Sequence, residues 1–263
     1  MSDDRRPVIA ITMGDPCGIG AEVIVKALAD PEVRRRGRYI VFGLSEQLAY
    51  TADAAEIELP FYRDRHESIR RYHHDLVVLD YDEISLPPRM PRAASKQGGA
   101  ASLAFLDGAI DATRRGLCQA LVTAPISKTS WQLAGAKKFP GHTELLARAC
   151  GVKHVAMMFA APQLKVVLAT IHEPLFDIRH KFTIGCVFNP IDLAHRALRE
   201  WFGLESPRIA VAGVNPHAGE DGQFGDEERR VIAPAIVMAS EAGINVSGPY
   251  PADTLFLDAV RGR

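Results

Sequence analysis

The chain has 263 residues, of which 47% are hydrophobic and 24% charged. That balance is the soluble globular norm and argues against disorder, collagen and coiled coil. Lysine and arginine total 31 against 32 aspartates and glutamates, a net charge of −1, so the basic excess of a typical nucleic-acid binder is missing.

The length suits one large or two modest domains. No apolar run reaches the ~18 residues that span a bilayer, and the charged start MSDDRR is followed by no apolar stretch of a signal peptide. A strand is predicted over 7–13, then a Gly-rich turn and a helix over 21–29. Arg34, Arg35 and Arg36, the densest basic run, read as a solvated turn after that helix. Strands follow over 39–42 and 76–79. The segment 81–95, with Pro87, Pro88 and Pro91, reads as a crossing between lobes or as a surface loop. A helix is predicted over 100–115, with Leu103, Leu106 and Ile110 on one face, and another apolar run over 119–123. A strand pair, 154–159 and 164–170, flanks Pro162. A helix over 190–201, a strand over 208–212, a helix over 226–242 and a short strand over 244–246 complete the pattern. Strands alternating with helices predict an α/β fold with a mainly parallel sheet. The four cysteines, Cys17, Cys118, Cys150 and Cys186, are widely spaced and form no CxxC, which points to a reduced, cytoplasmic protein.

In open α/β sheets, ligands bind beyond the carboxyl ends of the strands, and the unusual residues of this chain cluster just after predicted strands. These are MGDPCGIG at 13–20, APISK at 124–128, IHEP at 171–174, GVNPHAGE at 213–220 and GPYPADT at 248–254. If the strands are parallel, these turns share one sheet edge. The glycines Gly14, Gly18 and Gly20 either form a flexible turn or let backbone N–H groups approach an anion at a helix N-terminus; Asp15 lies among them. Their spacing is neither the Rossmann fingerprint nor a P-loop. Lys128 is an ordinary surface lysine or an anion contact. His142 precedes a predicted helix, and Thr143 is either its N-cap or a ligand contact. His172 and His217 form the sharper pair: each follows its own strand beside a proline and a carboxylate (Glu173, Glu220), and neutral imidazole is a common ligand for divalent metals. Two histidines do not complete a site. Asp253 is a candidate for a nearby role or a helix N-cap. His73 and His74 precede a strand and read as surface, and His66, His154, His180 and His195 lack comparable context.

At these residues the sequence resembles the 4-hydroxythreonine-4-phosphate dehydrogenases of vitamin B6 biosynthesis. The matching stretches are TMGDPCGIG at 12–20, LVTAPISK at 121–128, PGHTE at 140–144, HEPL at 172–175, NPHAG at 215–219 with 225–228, and GPYPADTLF at 248–256, in the family's order over most of the chain. The resemblance implies a two-lobed α/β fold of the isocitrate and isopropylmalate dehydrogenase type, not Rossmann, with two interleaved lobes around a central cleft. It implies NAD- or NADP-dependent oxidation of 4-hydroxythreonine 4-phosphate to a 3-keto acid that loses CO₂. It further implies substrate contacts at His142 and Thr143, a divalent metal (Zn, Mg, Mn or Co) on His172 and His217, and a site shared across a homodimer. Gly14, Asp15 and Lys128 are its possible anion contacts. No nucleic acid or membrane partner is expected.

The wording of LVTAPISK and PADTLF also suits relatives acting on 4-phosphoerythronate or threonate 4-phosphate. Two further readings stand beside these: phosphotransacetylase-type acyl transfer, which uses a related fold without the histidine metal site, and an inactive, phosphate-binding remnant. The family continues past Asp253 with a further metal histidine and a DHGT-type segment near the cofactor. The 263-residue chain is therefore expected to have little dehydrogenase activity by itself.

Overall fold

The computed structural model of the chain describes residues 6–139 and 141–262. The start of the chain, where the absence of a signal peptide was read, and Pro140 of the PGHTE match lie outside the described residues. The chain divides after Cys150 into two compact units.

In the first unit, β1 (Val8–Thr12), β2 (Arg38–Gly43), β3 (Tyr62–Arg65), β4 (Leu76–Asp80) and β5 (Ala120–Thr123) form one parallel sheet in the order β3-β4-β2-β1-β5. This is not the Rossmann order, because the chain runs from β2 out to the edge strand β3 and then back inward to β4. The helices are α1 (Gly20–Ala29), α2 (Pro31–Arg36), α3 (Ser45–Ala54), α4 (Lys96–Arg114), α5 (Lys128–Leu133) and α6 (His142–Cys150). Strands β2 and β4 are buried nearly end to end, as central strands of a parallel sheet covered on both faces must be. Long α4 lies against β1 and β2 and buries Phe105, Ala109 and Ala112 in the same core as Val41, Phe42 and Leu79. Edge strand β3 reads YRDR and is largely exposed. It carries no apolar run, so periodicity did not predict it; charge on an edge strand discourages pairing with other chains.

In the second unit, β6 (Met158–Ala160) and β7 (Lys165–Val167) form an antiparallel pair, as the flanking of Pro162 predicts. A second pair, β8 (Ile209–Ala212) and β9 (Val246–Tyr250), is parallel. The helices are α7 (Ile178–Lys181), α8 (Ile184–Glu200), α9 (Ala233–Glu241) and α10 (Ala252–Val260), with one π turn, Glu228–Ile232, leading into α9. Val187 and Ile191 of α8 pack with Val231, Ile232, Ala235 and Ala239 in a separate core.

Several expectations need correction. Arg34, Arg35 and Arg36 form the last turn of α2, whose start is set by Pro31 and the Asp30 cap, whose side chain accepts from the Glu32 N–H. The segment 81–95 stays within the first unit as a mostly exposed loop and does not cross to the second. Helix α8 starts six residues before Pro190, capped by Thr183, and carries the proline inside its second turn, where the N–H bond to the Cys186 carbonyl is forgone. The turns singled out in the sequence do not share one sheet edge: two follow strands of the five-stranded sheet, and the rest border two separate two-stranded sheets.

Candidate active site

Strand β1 lies between β2 and β5, so the chain leaves it toward one side of the sheet and returns on the other. Such a reversal opens a crevice at the carboxyl ends of the strands, and the turns after β1 and β5 meet there. The Asp15 N–H donates to the Pro125 carbonyl at 3.1 Å. Gly14 has φ +73°, and a Cβ there would run into the carbonyl oxygens of Pro125 and Ala124, so only glycine allows this approach. Asp15 is 3% exposed, and its carboxylate accepts the Cys17 N–H at 2.9 Å. The start of α4 borders the same turn: Ser95 caps the helix by accepting the Gly98 N–H at 2.9 Å, and its hydroxyl lies 3.3 Å from the Cys17 sulfur.

The turn after β5 ends at Lys128, the exposed first residue of α5. Its Cε lies 3.7 Å from where a Cβ on Gly141 would stand, so Lys128 reaches the residue that introduces α6. His142 opens that helix. Thr143 is its second residue and so is not the N-cap. Trp131 of α5 is fully buried, donates its indole N–H to the Ser102 hydroxyl at 2.8 Å, and meets the His142 ring edge-on at 5.6 Å. The His142 Nε2 is buried without a hydrogen-bond partner among the described residues. Burial holds its pKa below the ordinary value, so the ring is neutral at pH 7. A buried polar atom lacking a partner is costly unless a ligand supplies one.

The second unit carries the other predicted residues. His172 and His217 are exposed, and both have left-handed backbone, φ 55° and 52°. Side chains other than glycine rarely sit there, and strain of this kind clusters at ligand sites. Around His217 the conformation runs on through Ala218, Gly219, Glu220 and Asp221, at roughly 1–2 kcal/mol for each non-glycine residue. Among the described residues neither imidazole makes a hydrogen bond or ion pair. Imidazole suits a borderline divalent cation, but neither His172 nor His217 belongs to a set of three or more ligand atoms within 4.8 Å among the described residues. Glu173, next to His172, is taken by Lys181. Asp253 is exposed in the first turn of α10, where its charge favours the helix dipole; it is not the N-cap, which is Pro251.

The family profile of the pyridoxal phosphate biosynthetic protein PdxA matches residues 35–263. The chain belongs to the PdxA family. It is 42% identical to the 4-hydroxythreonine-4-phosphate dehydrogenase of Desulforapulum autotrophicum, covering 97% of this chain and 75% of that one. It is 40% identical to the D-threonate 4-phosphate dehydrogenase of Cupriavidus necator, covering 98% and 78%. The crystal structure of the 4-hydroxythreonine-4-phosphate dehydrogenase of Klebsiella pneumoniae superposes with a TM-score of 0.86 at 34% identity, covering 99% of this chain and 78% of that one. These relatives are dehydrogenases of small phosphorylated acids, and among the described residues no helix is long and apolar enough to cross a membrane.

Two groups in this PdxA chain were not singled out by their sequence context. Glu228 is 6% exposed and accepts the N–H groups of Val214 and Asn215 and the Asn215 side-chain amide, at 2.7–2.9 Å. Burial pushes its pKa up, but the Asn215 and Val214 donors outweigh this and hold the carboxyl below its ordinary value. Its only sequence signal is its place at the end of the matched stretch 225–228. The other group is His66, Glu67 and Glu83, the one set of three or more His, Cys and carboxylate ligand atoms within 4.8 Å among the described residues. His66 stacks on Tyr81 at 3.9 Å, and a lone histidine before a glutamate carries no signal of that pairing.

Proposed function

We propose, against the expectation of little activity from the chain by itself, that it oxidises 4-hydroxythreonine 4-phosphate at C3, with NAD or NADP as hydride acceptor, to a 3-keto acid that loses CO₂. The observation that carries this reading is the buried, unpartnered His142 Nε2 at the start of α6, with Lys128 beside it, in a chain of the PdxA family.

The first-turn N–H groups of α6 lack helical partners and, with the Lys128 ammonium, form a cationic corner suited to a phosphate or carboxylate. Neutral His142 and the Thr143 hydroxyl hydrogen-bond the substrate and orient C3. The buried Asp15 carboxylate braces its turn, so the anion contact expected near Gly14 falls to backbone N–H groups. Oxidation at C3 releases the hydroxyl proton to solvent and a hydride to the acceptor, and the alkoxide left by the proton carries negative charge until the hydride departs. In the second unit, His172 and His217 would hold a divalent cation, which would supply Lewis acidity to an alkoxide or keto oxygen, and a bound nicotinamide would be the hydride acceptor. A homodimer sharing this metal site and a cytoplasmic location belong to the proposal.

The similarity to the Cupriavidus enzyme supports a second reading, D-threonate 4-phosphate as substrate. The two acids differ at C2, which carries an ammonium in one and a hydroxyl in the other. The test is turnover of each with NAD⁺ and NADP⁺ and with Zn²⁺, Mg²⁺, Mn²⁺ or Co²⁺, following reduced nicotinamide and CO₂. The expected result is the higher kcat/KM for 4-hydroxythreonine 4-phosphate, with His142→Ala raising KM and lowering kcat. Acyl transfer between acetyl phosphate and coenzyme A without nicotinamide reduction would overturn the proposal in favour of a transacetylase.

A further inference from the structure

We propose that Glu228 is a positioning residue for His217: its buried carboxylate clamps the left-handed loop that presents the imidazole. The inference rests on the reading of His217 as a metal ligand.

Five consecutive residues, His217 to Asp221, have φ between 41° and 86°, and only Gly219 among them is a glycine. A loop of that kind does not hold its shape by local preference. It needs fixed points. The Val214 N–H at 2.8 Å and the Asn215 N–H at 2.7 Å both donate to Glu228 Oε1, and the Asn215 amide donates to Oε2 at 2.9 Å. A second bond, from the same amide to Glu227 Oε2 at 2.8 Å, fixes Asn215 further. Halfway along the loop, Gly219 is buried against the carboxylate: a Cβ there would stand 2.9 Å from Oε2. Glu228 thus holds the entry of the loop and supports its middle, with His217 between the two.

The base of this clamp is rigid. Glu228 opens the π turn that leads into α9, and the following Val231, Ile232, Ala235 and Ala239 are in the core of the second unit. The His217 ring is exposed and makes no hydrogen bond among the described residues, so apart from a tilted contact with Phe224 at 6.4 Å its direction is set by the backbone beneath it. Outer groups that orient a metal ligand without touching the metal act in this way.

The experiment titrates Co²⁺ and Zn²⁺ into the full chain by calorimetry and records the visible spectrum of the Co²⁺ form, for the wild type, Glu228→Gln and His217→Ala. Glu228→Gln keeps the volume and removes the charge, turning an amide donor toward the Asn215 donor. The expected result is an affinity loss of about 10- to 100-fold with a changed Co²⁺ spectrum, in a variant that a thermal melt shows to be folded. In steady-state kinetics kcat falls while KM for the phosphorylated substrate holds. Wild-type affinity and spectrum in Glu228→Gln, with loss in His217→Ala, would overturn the role of Glu228 and leave the His217 reading intact. Wild-type affinity in His217→Ala would overturn both. Should Glu228→Gln fail to fold, Glu228→Asp keeps the charge but shortens the reach; the same loss supports the clamp, and unchanged metal binding overturns it.

Discussion

His142 keeps a buried ring nitrogen without a partner, wedged against Trp131. Desolvation disfavours the charged ring, so its pKa lies below the ordinary value near 6.5. Because the folded-state pKa is the lower one, the unfolded chain binds this proton first. The associated stability is complete above pH ~6.5 and is lost as pH falls through that value toward the folded pKa. Replacing His142 with Gln removes a group that must be kept neutral. The variant is expected to show a shallower loss of stability than the wild type as pH falls below about 6.5, read from denaturant midpoints at each pH. NMR titration of the ring checks the same point directly: a folded-state pKa above 6.5 would contradict the desolvation argument.

Helix α4 shows how an element is set in place for the site. Its N-cap Ser95 accepts the Gly98 N–H and also donates its own N–H to Ser130 of α5. One residue therefore starts the helix and ties it to the element that bears Lys128. Ser95→Ala is expected to lower stability by about 1 kcal/mol, the usual cost of losing a serine cap, seen as a drop of a few degrees in thermal midpoint. Prediction of α4 from periodicity began at residue 100, one turn late, because Lys96, Gln97, Gly98 and Gly99 offer no apolar face. The cap, not the pattern, marks the start. Sequence reading found β1, β2 and β4 closely, since their apolar runs are largely buried; it also found β5, a short apolar run, and α1, whose apolar residues fall on one face. It missed β3, α3 and α5, whose polar sequences take their structure from the neighbours they pack on.

At the scale of the whole molecule, the candidate residues fall into two sets: Gly14, Asp15, Lys128, His142 and Thr143 in the first compact unit, and His172, His217 and Asp253 in the second. A cation that binds only the folded protein stabilises it by mass action. Co²⁺ at a hundredfold excess over its Kd is expected to stabilise the wild type by about 2.7 kcal/mol; chelation reverses the shift, and His172→Ala and His217→Ala abolish it. A full shift in either variant would remove that histidine from the metal site. The fold class and the family were legible in the sequence alone, because motif residues and buried parallel strands leave local signatures, and the same motifs supply His142, His172 and His217 as candidates. Three things were decided only by the tertiary structure. The turns that looked alike were distributed over three separate sheets. The glycine turn closed on Pro125 through a chain reversal more than a hundred residues long. Glu228 became the support of a strained loop through hydrogen bonds across a span of 13 residues. Each depends on which distant groups pairing brings together, and no local periodicity or propensity encodes that.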